Sequence, residues 1–131
     1  MRIDRLDHLV LTVADLDATV RFYVEVLGMQ EVIFWGGRRA LTFGCQKINL
    51  HQLGAEIEPK AYAAQPGSAD LCFITETPLV QVIEDWKRKG VTVELGPVER
   101  TGATGRILSV YLRDPDRNLI EISNEIFENK L

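Results

Sequence analysis

The chain repeats itself once. LVLTV at residues 9–13 is followed by Asp15, an amphipathic stretch and Gly28; 62 residues further on, LCFIT at 71–75 is followed by Thr77, a second amphipathic stretch and Gly90. At that offset His8 falls on Asp70, Asp15 on Thr77 and Gly28 on Gly90. Two copies are too few for a solenoid, which stacks three or more units. The repeat therefore restricts the chain to a duplicated module in which each half solves the same packing problem.

In the first copy a strand is expected over 5–13. Asp15 as N-cap, apolar Leu16, Val20, Tyr23/Val24 and Leu27 at helical spacing, and Gly28 as terminator predict a helix over 16–27. Runs rich in β-branched and aromatic residues near 30–35, 38–44 and 46–51, broken by Gly36-Gly37, predict three strands. The second copy gives a strand over 69–75. Thr77 is its N-cap, Pro78 takes the first helical position, and Leu79, Val82, Ile83 and Trp86 form the stripe. Strands near 91–94, 106–113 and 118–124 complete it. Both copies read βαβββ, so the fold class is α+β, with one domain over 1–131 and modules of about 1–54 and 66–131. GPVERTGATGR (96–106) has no counterpart in the first copy and reads as an expanded loop.

Strand alternation then sorts the side chains. Leu9, Leu11 and Val13 oppose His8; Ile48 and Leu50 oppose His51; Leu71 and Phe73 oppose Asp70; Ile120 and Ile122 oppose Glu121. The one helix of each half must cover the apolar face. His8, His51, Asp70 and Glu121 are left on the uncovered face, with His51 and Glu121 taken as counterparts on the last strand of each copy. Two histidines with one or two carboxylates form a donor set for Zn²⁺, Ni²⁺, Mn²⁺, Co²⁺ or Fe²⁺. Each also has a plain structural reading: a satisfied strand histidine, a turn aspartate, an exposed edge glutamate. Among the arginines, Arg113 alternates with Tyr111 on the penultimate strand and Arg100 sits in the expanded loop. If that loop closes, they can hold an anionic substrate.

A net charge of −4 supplies no field for nucleic acid. The N-terminus lacks the apolar core of a signal peptide, and no run approaches the roughly 20 apolar residues of a membrane span, so a cytoplasmic protein that spans no membrane is expected. Cys45 and Cys72 form no CxxC pair and read as small buried residues in a reducing compartment.

DHLVLTVADLDATVRFYVEVLGM and the ending VYLRDPDRNLIEIS resemble the first strand and helix, and the closing hairpin, of the vicinal-oxygen-chelate superfamily of glyoxalases, bleomycin-resistance proteins and extradiol dioxygenases. QKINLHQLG and GPVERTGATG are similar to a branch of single-domain glyoxalase proteins. The resemblance implies an open, cupped mixed sheet with helices outside, and a homodimer whose sites often draw on two chains. It also implies a divalent metal held by His8, His51 and Glu121. Glu121 and Asp70 would be the catalytic carboxylates, and Arg100, Tyr111 and Arg113 the substrate-binding residues. Glyoxalases often carry glutamate at the position matched by His51. Superfamily members typically carry histidine at that of Asp70, and the DPDG turn has glycine at that of Arg117. The implied activity is lactoylglutathione-lyase-like isomerisation of a small oxygenated substrate. Extradiol ring cleavage, and sequestration of a ligand or antibiotic without catalysis, are the alternatives.

Overall fold

A computed structural model describes residues 1–127 as two compact units. The first comprises Met1–Ala69 together with Asp114–Arg117. It contains β1 (His8–Val13), α1 (Leu16–Glu25), β2 (Gln30–Phe34), β3 (Arg38–Phe43) and β4 (Gln46–Gln52) in a four-stranded sheet ordered β1-β4-β3-β2. The second begins at Asp70 and contains β5 (Asp70–Ile74), α2 (Leu79–Arg88), β6 (Leu95–Thr101), β7 (Arg106–Arg113) and β8 (Leu119–Glu125), ordered β5-β8-β7-β6. In each unit the first and last strands pair in parallel and the other pairs are antiparallel. The βαβββ repeat is thus realised twice with the same topology.

Asp15 caps α1 as its sequence implies: the side-chain oxygen accepts from Ala18 N at 3.1 Å. The helix buries Thr19, Val20 and Tyr23 while Val24 stays 36% exposed, so its inner stripe leans toward Tyr23. Val13, Ala40, Leu41 and Ile48 are fully buried with Tyr23 in the first unit; Val110, Leu112, Ile120 and Trp86 are the second unit's core.

Four expectations need correcting. The cap of α2 is Pro78 rather than Thr77, and a proline side chain has no atom with which to make a cap bond; Thr77 N–H donates to Thr75 Oγ1. Asn124 of β8 serves the helix start instead, accepting from Leu79 N at 2.9 Å and donating to Thr75 O and Thr77 O. Residues 91–94 are not a strand: Val91 N is held by Trp86 O at the end of α2. The strand is β6, which absorbs most of the supposed loop and pairs with β7 from Val98↔Ser109 to Thr101↔Arg106, leaving a short turn closed by Gly102 N donating to Gly105 O. An edge strand tolerates Pro97, which has no N–H to donate to a neighbour. Finally, both cysteines are exposed, Cys45 in the β3–β4 turn and Cys72 on the polar face of β5.

Candidate functional site

Parallel register decides which polar residues are equivalent. In the first unit His8 pairs with Lys47, Val10 with Asn49 and Thr12 with His51. In the second Asp70 pairs with Leu119, Cys72 with Glu121 and Ile74 with Ser123. With His8 matched to Asp70, the counterpart of Glu121 is Asn49, and that of His51 is Ser123. The sequence-based pairing of His51 with Glu121 is therefore off by two residues. His8 and His51 also stand at opposite ends of the β1–β4 ladder. Four residues of strand separate their levels, about 13 Å, too far for one ion. Among the described residues no three His, Cys, Asp or Glu side chains gather closely enough to hold a metal.

Asn49 is the residue that sequence reasoning passed over. Alternation puts it on the polar face beside His51, but only the β1–β4 register identifies its level. It is 6% exposed, and its Oδ1 has no hydrogen-bond partner. His51 is 5% exposed with an equally unpartnered Nδ1, and burial, followed by the Arg38 charge, lowers its pKa. His8 is more open. Its Nδ1 lies 2.8 Å from Asp7 Oδ1, and that hydrogen bond holds the Asp7 carboxyl below its usual range.

In the second unit Glu121 is the centre of a hydroxyl group cluster. Ser109 Oγ donates to Glu121 Oε2 at 2.6 Å and lies 2.7 Å from Ser123 Oγ, which in turn is 3.4 Å from Cys72 Sγ. Ser109 and Ser123 are fully buried, so the carboxylate is held by fixed donors. Partial burial pushes the Cys72 thiol above its usual pKa, which makes it a poor nucleophile. Glu121 and Cys72 line a cavity of about 410 Å³ with Arg100 and Gly102. Arg100 belongs to β6 rather than to a mobile loop; its Nε donates to Tyr111 Oη at 3.1 Å and its guanidinium lies over the Tyr111 ring. Arg113, the other expected anion binder, is engaged by both oxygens of Glu94, at 2.9 and 3.0 Å. Asp70 is exposed at the start of β5.

These donors suit a divalent ion in type. An imidazole oriented through Nδ1 by a carboxylate is how metal-binding histidines are held, with Nε2 left for the ion. In the second unit, taken by itself, Asp70 and Glu121 are hard oxygen donors. His51 does not join His8 in such a set, for the reason of register given above.

Arg117 keeps the backbone conformation that glycine would favour in this turn, at φ 66°.

Residues 5–122 match the Glyoxalase/Bleomycin resistance protein/Dioxygenase superfamily. The chain is 60% identical over 126 residues to virulence protein STM3117 of Salmonella typhimurium, covering 96% of this chain and 88% of that protein. The crystal structure of that protein superposes with a TM-score of 0.95, covering 96% of this chain and 100% of the other. Identity to the glyoxalase domain-containing protein RDO1 of Mycosarcoma maydis is 56% over 119 residues, 91% of this chain and 67% of that one. A lactoylglutathione lyase from Agrobacterium tumefaciens shares the fold at a TM-score of 0.71 and 22% identity, over 95% and 96% of the two chains. Sequence and fold agree: the chain is a member of the Glyoxalase/Bleomycin resistance protein/Dioxygenase superfamily, with that superfamily's α+β fold.

Proposed function

We propose that this protein is a divalent-metal-dependent enzyme that isomerises a small oxygenated substrate, in the manner of a lactoylglutathione lyase, as a homodimer. The observation that carries the reading is Glu121: a carboxylate fixed by buried serine hydroxyls in a cavity that also presents Arg100. Proton removal from a carbon beside a carbonyl needs such a base, held within reach of the substrate. Ser109 orients the Glu121 carboxylate through Oε2, and the carboxylate takes the proton from one carbon and returns it to its neighbour, so that the isomerisation balances. Arg100, steadied by Tyr111, binds an anionic group of the substrate. Asp70 and Glu121 of one chain, with His8 of a second copy, would hold the ion, which would supply Lewis-acid stabilisation of the negative charge on the substrate oxygen. A second copy of the chain completes the donor set.

The test uses protein purified without a histidine tag and assayed with Zn²⁺, Ni²⁺, Mn²⁺, Co²⁺ or Fe²⁺. The hemithioacetal of methylglyoxal and glutathione should be turned over, and Glu121→Gln should lower kcat by about 100-fold or more with unchanged circular dichroism. Full activity in Glu121→Gln would overturn the assignment. Oxygen uptake with a catechol would select ring cleavage instead, and tight ligand binding without turnover would select sequestration.

A further inference from the structure

The first unit carries a cavity of its own, about 360 Å³, which the reading of Glu121 does not use. Val10 and Thr12 of β1, His51 of β4, and Pro59, Lys60 and Ala61 of the following segment line it. Its walls divide by chemistry. Val10, Pro59 and Ala61, with Ala64, are apolar. Lys60 is exposed; its charge reaches Glu56 and His51, but no salt bridge engages it among the described residues. His51 is 95% buried by its 5% exposure, yet Nδ1 has no partner. A buried ring nitrogen without a hydrogen bond is costly, and folded chains rarely leave one so. The volume lies at the small end of ligand sites, which combine apolar walls with a few placed polar groups.

We propose that this cavity binds a small monocarboxylic acid bearing a second oxygen next to the carboxylate, a 2-oxo or 2-hydroxy acid. The carboxylate pairs with Lys60, the second oxygen bonds the His51 imidazole, and the short carbon chain lies against Val10, Pro59 and the alanines. A neutral imidazole suits the task because it donates or accepts according to tautomer. The site stands whether or not the metal reading does, since every group in it is an organic side chain of one unit.

Calorimetric titration of the full chain with 2-oxobutyrate and with butyrate, in buffer containing EDTA so that no ion contributes, tests it. 2-Oxobutyrate should bind, and butyrate, which lacks the second oxygen, about tenfold more weakly. Lys60→Gln should weaken 2-oxobutyrate by about five- to tenfold. His51→Gln should erase the difference between the two acids. Lys87→Gln, an exposed charge on α2, should change nothing. Lys60 is exposed, so its variant keeps the fold and the result is readable even if His51→Gln does not. Equal affinity of the wild type and Lys60→Gln, or no heat from 2-oxobutyrate at tens of millimolar, would overturn the proposal.

Discussion

At the scale of the residue, buried polar atoms divide into those with partners and those without, and the two kinds have different consequences. Tyr23 is fully buried and its hydroxyl donates to Asp114 Oδ2 at 2.7 Å. Burial, with the Asp114 charge behind it, raises the phenol pKa far above its ordinary value, so the group stays a donor at all working pH. Tyr23→Phe keeps the ring and removes the donor, and leaves a 4% exposed carboxylate short of one bond. The expected loss is about 1–3 kcal/mol, read as a lower urea midpoint with unchanged slope; an unmoved midpoint would mean that Asp114 is satisfied elsewhere. Asn49 Oδ1 and His51 Nδ1 belong to the second kind. Polar atoms buried without partners mark places where the protein gives up stability, and here both lie on one strand face.

At the scale of the element, hydrophobic periodicity is enough for both helices, all four strands of the first unit and three of the second, and the sequence also identifies the cap of α1, though not that of α2. Asp15 and Gly28 behave as local chemistry says they should, since both act through bonds to their own neighbours. What alternation alone leaves out is register. The pairing of His51 with Glu121 failed because two residues along a strand preserve the face and change the level, and only the parallel partner strand fixes the level. β6 was misplaced for a related reason: GPVERT has weak β-propensity, and its strand character comes from pairing with β7. Gly96 shows how tightly that pairing is built. It sits at φ 111°, and a Cβ there would strike Ser109 O, the backbone of the residue that holds Glu121. Gly36 has a comparable positive φ of 74° with open space around it. Gly36→Ala should therefore cost only backbone strain, about 1–2 kcal/mol. Gly96→Ala should cost clearly more and should also lower activity through Ser109. Equal costs in thermal unfolding would show that β6 gives way freely.

At the scale of the whole molecule, the donor positions come in twos. The first unit offers His8 and Asn49, and the second Asp70 and Glu121, at matching registers. Divalent sites use three or more protein donors, and no such group forms among the described residues of one chain. If the proposed homodimer has two-fold symmetry, His8 of one chain can serve the Glu121 of the other, and symmetry then gives two equal sites. The consequence is measurable without knowing the substrate. His8→Ala and Glu121→Ala should each abolish stoichiometric metal binding as homodimers. Co-expressed, half of the dimers are mixed, and each mixed dimer has one site with both lesions and one site with neither. Metal content should therefore return to about a quarter of the wild-type value, the fraction that random pairing gives. Sites contained within single chains would stay broken in every combination, so metal content that remains at the level of the separate variants would rule out sharing between chains.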